Sequence, residues 1–253
     1  MSAGPASSLR ATLALTSMEL RLTLRRGENL LVTIVIPAVV LLFFTSVGLL
    51  PSMGGRLVDF LLPGSLALAV IATSLVSLGI ATGYERSYGV LKRLGGSPLP
   101  RAGLVAAKIL SVLLVEAVQA VLLVTIAAGL LDWRWPAGAS LPLAIVAILL
   151  GSLAFGGLGL LLAGRLRAEA TLGLANGLFL AFLLLGGIII PVDHLPPAMA
   201  AVAQVLPANP LAEALRVALA TPGAPSDASG PLAALAGWGV VTAGLAATTF
   251  RWD

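Results

Sequence analysis

The chain has 253 residues, of which 58% are hydrophobic and only 10% charged, and it contains no cysteine. Soluble domains carry roughly 25% charged residues, so this chain cannot cover a water-facing surface, and the lipid bilayer is the remaining solvent. Without cysteine there is no disulfide framework, thiolate metal site or cysteine nucleophile, and a net charge of +4 does not argue for nucleic acid until the cations are placed.

Residues 1–29 carry Arg10, Glu19, Arg21, Arg25, Arg26 and Glu28 among leucines, too much charge to cross a bilayer. Leu9, Leu13, Leu20 and Leu24 fall on one helical face, although Leu15 and Leu22 blur the stripe. The segment reads as an amphipathic helix on the membrane surface, the alternative being a solvated basic tail. A cleaved signal peptide is not expected, because the apolar run that follows is about twice a usual signal core and ends on no small-x-small site.

Six apolar runs come next, at approximately 30–50, 60–83, 103–131, 141–163, 171–190 and 231–249. Each is near the ~20 residues that cross ~30 Å of hydrocarbon. Pro37 is a candidate kink in the first. The alternating pattern of a membrane barrel is absent. The expected fold is therefore all-α and integral to the membrane: one six-helix domain over 30–249, preceded by the 1–29 segment and followed by a short tail at 250–253.

The cations orient it. With the N-terminus in the cytoplasm, only Arg56, Arg134 and Arg216 lie outside, and the other lysines and arginines lie inside. Short basic loops resist translocation, so both termini are expected in the cytoplasm. The same placement assigns the positive charge to topology and anionic lipid headgroups, with no nucleic-acid partner.

Residues 84–101, YERSYGVLKRLGGSPLPR, join the second and third runs and hold Glu85, Arg86, Lys92, Arg93 and Arg101. Read on its residues alone, such a loop either anchors topology or meets a partner protein. A helix is expected from about 86 to 94, with Tyr84, Tyr88 and Leu91 on one face and Gly95, Gly96 and Pro98 ending it. The outer loops PSMGGRLVD and DWRWPAGAS are short, and Trp133 and Trp135 in the second read as an interfacial belt rather than a ligand cage. The third, 191–230, holds two short apolar helical segments, the second starting at Asn209-Pro210 with an asparagine N-cap. Too short to span, they are expected to dip into the outer leaflet or cap the bundle.

No catalytic constellation appears. His194 stands beside Asp193 without a second histidine or metal-ligand spacing, and reads as a polar loop residue; no metal is expected. GSLAFGGLGLLLAG falls inside the fourth run, where glycines permit close helix packing rather than phosphate binding. No G-x-x-x-x-G-K-[ST] loop occurs, so the chain is not expected to be an enzyme, and ATP-driven work falls to a partner.

Within the third run Glu116, with Gln119 one turn on, lies about 20 Å from its start. An ionised carboxylate there costs ~2.5 kcal/mol or more, so it is protonated, paired or facing a wet cavity. Lys108, about 8 Å in, is expected to snorkel to the surface. Asn176, Ser74 and Ser77 are weaker candidates for a pathway lining. Two readings of Glu116 stay open: a hydrogen bond across a helix or subunit interface, or a part in transport. An ion-coupled secondary transporter with Glu116 as proton carrier is the alternative function, although no internal repeat is visible.

The passage ERSYGVLKRLGGSPLPRAGLVAAKIL resembles the segment between spans two and three of type-2 ABC transporter permeases, the membrane subunits of bacterial drug, lipid and polysaccharide exporters. The resemblance rests on Glu85-Arg86 at the span end, Gly89, the Leu91-Lys92-Arg93-Leu94 core, and Pro98. GGIIIPVDHLPPAMAAVAQVLPANPLAEALRVAL resembles the same family's segment after span five, through Pro191, Leu195-Pro196, Leu206-Pro207 and Ala214-Leu215-Arg216. It implies a coupling helix at 86–94 that docks an ATPase, with Glu85, Arg86, Tyr88, Gly89, Leu91, Lys92, Arg93, Leu94 and Pro98 as coupling residues. It further implies two copies of an ABC ATPase holding ATP and Mg, no cofactor in this chain, and a second permease expected to be identical. The location implied is the bacterial cytoplasmic membrane, and the cargo a hydrophobic or amphipathic drug-like or lipid-like substrate moved outward.

Overall fold

The computed structural model describes residues 8–25, 27–47, 55–95 and 101–250. Gly96, Pro98 and the tail at 251–253 lie outside these residues, as do the side chains of Leu94 and Arg101. The architecture is all-helical: α1 (Ser8–Arg25), α2 (Gly27–Val47), α3 (Leu57–Ile71), a π-helical turn (Ala72–Ser77), α4 (Leu78–Ser87), α5 (Val90–Gly95), α6 (Arg101–Leu130), α7 (Leu141–Arg165), α8 (Ala168–Leu185), α9 (Pro197–Val205), α10 (Ala208–Ala218) and α11 (Ser229–Thr249).

Among the described residues five segments are long and apolar enough to cross a membrane: Leu57–Ser87, Val105–Leu130, Leu141–Arg165, Ala168–Leu185 and Ser229–Thr249. They match five of the six expected runs. For the first run the described apolar stretch of α2 is the shorter Thr33–Val47. The fifth run was expected to continue to 190, but α8 stops at Leu185. Gly187 there takes a left-handed φ of +66°, which only glycine adopts without strain, and the chain turns away from the helix axis.

Leu57–Ser87 is the axis of the bundle. It is buried along nearly its whole length, while the other four spans each keep a broad lipid-facing side. Leu61, Leu62, Leu68, Ile71 and Leu75 are completely enclosed. Midway, the π-helical turn Ala72–Ser77 interrupts the α-helix. The backbone of α7 comes close at this level: a Cβ on Gly159 would sit 2.9 Å from the Ser74 carbonyl oxygen and 2.8 Å from that of Leu75. Two residues earlier in α7, a Cβ on Gly157 would sit 2.5 Å from Thr242 Oγ1 and 2.7 Å from the Ala243 nitrogen on α11. These glycines do what was expected of the glycine-rich run, letting three helix backbones approach where a methyl group would hold them apart.

At one end of the bundle the chain is strapped by backbone contacts. Arg56 forks onto the carbonyls of Leu131 and Asp132 at 2.6 and 2.8 Å, and the Ser140 amide donates to Ala218 at 2.7 Å. Here α10 packs on α3, α7 and α11, with Ala208, Leu211, Ala212, Ala214 and Leu215 fully buried. It dips into the bundle, whereas most of α9 is exposed. The expected asparagine N-cap is not formed: α10 begins at Ala208 after Pro207, and Asn209 is already inside it, donating from Nδ2 to Glu213 Oε1 at 3.2 Å. Pro207 needs no N–H of its own at a helix entry, so the start moves two residues upstream.

Candidate functional site

The opposite end of the bundle carries the charged loop. The helix expected over 86–94 is broken in two. Gly89 adopts φ +69°, so α4 ends at Ser87 and a separate α5 begins at Val90. The positive φ turns the chain by a residue that pays no Cβ penalty, and α5 leaves the axis span at an angle set by that turn.

The break sorts the expected coupling residues into two sets. Tyr88 is 72% exposed, stacked on Tyr84 with ring centroids 6.0 Å apart, and Lys92 and Arg93 are exposed on α5. Leu91, expected on the face of Tyr84 and Tyr88, is instead buried at 3% exposure and roots α5 in the bundle. Glu85 and Arg86 also turn inward. Arg86 donates from Nη1 to the Gly164 carbonyl at 2.7 Å and from Nη2 to that of Leu166 at 2.5 Å. These carbonyls end α7, where no further turn offers a donor and the helix dipole is negative, so a guanidinium fork is a suitable cap.

Glu85 joins a buried ion cluster. Lys108 Nζ on α6 lies 2.6 Å from Glu85 Oε2 and 2.8 Å from Glu19 Oε1 on α1. The snorkelling expected of Lys108 does not occur: the residue is 8% exposed. Two carboxylates on neighbouring helices hold the ammonium more closely than water at the bilayer surface would. α1 is thereby fixed along α6, with Thr16 also buried, while Arg10, Leu13, Met18, Arg21 and Leu22 face outward. The stem entering α5 and the stem leaving it are pinned to each other and to the N-terminal helix.

A second polar cluster lies deeper. Glu116 Oε1 accepts from Ser74 Oγ at 2.6 Å, and Oε2 is 2.5 Å from Ser152 Oγ. Gln119 Oε1 accepts from Thr73 Oγ1 at 2.9 Å, and its Nε2 donates to the Thr33 carbonyl at 3.1 Å. Four segments meet here: α2, the π-helical turn, α6 and α7. Glu116, Gln119 and Ser74 are 3%, 1% and 0% exposed, so within this chain they face one another rather than an open channel. Asn176 stands apart, donating to the Leu172 carbonyl of its own helix at 2.9 Å and lining a recess of about 140 Å³ with Thr33 and Phe179. Ser77 is not brought into either cluster. Thr73 and Ser152 were missed in the sequence; each is a hydroxyl opposite a polar side chain of α6, Thr73 opposite Gln119 and Ser152 opposite Glu116, and nothing in the order of residues says which hydroxyl will be opposite. His194 is exposed in a short 3-10 turn, and no group of three or more potential metal ligands occurs among the described residues.

These features define a multi-pass, all-helical membrane protein whose buried axis span ends in an exposed basic helix. The ABC-2 type transporter family matches residues 10–220, nearly the whole helical bundle, and the chain belongs to that family. It is thus an ABC-type permease, a membrane component whose family implies an ABC ATPase partner. A comparison with curated proteins gave no match.

Proposed function

We propose that this permease exports a hydrophobic or amphipathic substrate, drug-like or lipid-like, across the bacterial cytoplasmic membrane, and that α5 is where a separate ATPase drives it. The observation that carries the reading is the division of labour around Gly89. Tyr88, Lys92 and Arg93 are presented outward, whereas Leu91 is buried and Glu85 and Arg86 fasten the same segment to α6, through Lys108 to α1, and to α7. A force on α5 is therefore delivered to the axis span and three of its neighbours together. In this reading both termini and α5 are cytoplasmic, α2 completes six spans, and two permeases and two ATPases form the working unit. ATP and Mg are held by the ATPases.

The reading is tested by reconstituting the chain with a candidate ABC ATPase in proteoliposomes. Substrate movement that requires ATP hydrolysis is expected, and movement driven by a proton gradient with this chain alone would overturn it. The variant Lys92→Glu/Arg93→Glu is expected to lose at least ten-fold in ATPase co-purification with an unchanged melting temperature. An unchanged complex with unchanged transport would remove α5 from the coupling role.

A further inference from the structure

Spans α6 and α7 follow one another in the chain, and a groove of about 310 Å³ lies between them. Leu66 of the axis span lines its depth, Ala117, Ala120 and Val124 line the α6 side, and Ala144 and Ile148 line the α7 side. The short side chains of Ala117, Ala120 and Ala144 leave room between the two walls. Its rim is lipid-facing, with Leu141, Ile145 and Leu149 of α7 46–57% exposed.

Both ends of the groove are defined. Near the inner end the Glu116–Ser152 hydrogen bond draws α6 onto α7. At the outer end stands Trp135, half-exposed and set edge-to-face on the buried Trp133 at 5.8 Å. Their loop is braced by the Arg56 fork and by the Trp133 amide, which donates to Ala127 at 2.9 Å. Arg134, between the two tryptophans, is exposed. The α6 wall covers 113–124 and the α7 wall 141–149, about 16 and 12 Å of helix. One leaflet of the hydrocarbon core is half of ~30 Å, or about 15 Å deep. The groove has the length of one leaflet and an apolar lining that ends on Trp135, and the exposed Arg134 is the neighbouring residue of that loop.

We propose that this groove is a binding site for a single phospholipid of the leaflet on the Trp135 side, with one acyl chain between α6 and α7 and the phosphate at Arg134 and the Trp135 indole. Lipid seated there fills space that would otherwise be void between two consecutive spans, and the braced loop offers the headgroup contacts without having to be ordered first. The proposal rests on the membrane architecture alone and is independent of substrate and energy source.

The test uses the full chain in nanodiscs of phosphatidylglycerol containing a trace of phosphatidylglycerol with a diazirine midway along one acyl chain. Photolabelling is expected to concentrate on peptides from 113–124 and 141–149, at least five-fold above the equally lipid-exposed face of α11 that carries Val240 and Val241. Even labelling of α11 and the groove would overturn the proposal, and so would groove peptides shielded from label by a second copy of the chain. Native mass spectrometry after detergent extraction gives the second reading. One phosphatidylglycerol per chain is expected to persist, to fall about ten-fold in Ala120→Phe/Ala144→Phe, and to survive in Val118→Phe, which enlarges an exposed residue outside the groove lining. Arg134→Gln is expected to lower retention several-fold. Equal retention in the filled variant and the wild type would refute the site.

Discussion

Replacing Lys108 by methionine tests the ion cluster most directly. The side chain keeps its length and loses its charge, leaving Glu19 and Glu85, whose side chains are 13% and 11% exposed, to face each other across the former ammonium. Each was within 2.8 Å of the nitrogen, and removing one partner of a buried pair costs about 3–5 kcal/mol, because the remaining charge stays buried without compensation. For a domain of 150–250 residues 1 kcal/mol moves the melting temperature by about 2–4 °C. A loss of 3 kcal/mol then appears as a drop of roughly 6–12 °C. Thermal unfolding of the detergent-solubilised chain, followed by size-exclusion fluorescence, reads this drop. The triple variant Glu19→Gln/Lys108→Met/Glu85→Gln removes every charge and is expected to recover to within about 1 kcal/mol of wild type, since exchanging a whole buried ion cluster for neutral groups is often near neutral. The reasoning is refuted if Lys108→Met melts with the wild type, or if the triple variant melts no higher than the single one.

Arg86→Ala removes the fork on the α7 carbonyls and is expected to lower stability by about 2–4 kcal/mol, at roughly 1.5–3 for each charged hydrogen bond less compensation by water; equal melting of Arg86→Ala and Lys92→Ala would show that Arg86 is no cap. Gly157→Ala drives a methyl group into Thr242 and is expected to cost about 1–3 kcal/mol. Gly173→Ala, with open space around its Cβ, is expected to be neutral or to stabilise by up to about 1 kcal/mol, and the order of the two melting temperatures checks the pair. Glu116→Gln retains an oxygen to accept from Ser74 and an amide to donate to Ser152, so it is expected to stay within about 1 kcal/mol and to preserve ATP-driven transport. A normally folded Glu116→Gln that has lost all transport would instead give the carboxyl a part in the transport cycle.

The spans were legible because bilayer thickness imposes a length and an apolar composition on each of them, and neither depends on tertiary partners. The loop geometry was less so. Gly89 sits in a stretch that satisfies helix periodicity, and only its left-handed φ reveals two helices with different neighbours. Tyr84, Tyr88 and Leu91 share a face on one continuous helix; on a broken one Leu91 points into the bundle and Tyr88 away from it. Lys108 looked free to reach the surface since Glu19 is 89 residues away in the chain, a distance at which pairing has no local signature. The residues of the deep polar cluster were partly legible: Glu116, Gln119 and Ser74 stand out by being polar within a span, but their convergence depends on how α2, the π-helical turn, α6 and α7 pack, and a π-helical turn has no sequence pattern as clear as a proline or glycine.

The burial of the axis span bears on how the protein is made. During synthesis Leu57–Ser87 enters the bilayer before most of what will surround it: the groups that bond Thr73 and Ser74 arrive 46 and 42 residues later, and Ser152 later still. In that interval the nascent helix is exposed to lipid on sides that end up enclosed. It can wait there because its own polar groups at that depth are neutral hydroxyls, which can turn back onto carbonyls of their own helix. The costly group, Glu116, lies on α6, so the carboxyl reaches the membrane interior only after Ser74, the first of its two hydroxyl partners, is in place. The order of residues along the chain is thus also an order of insertion in which the acid comes after the hydroxyls of the axis.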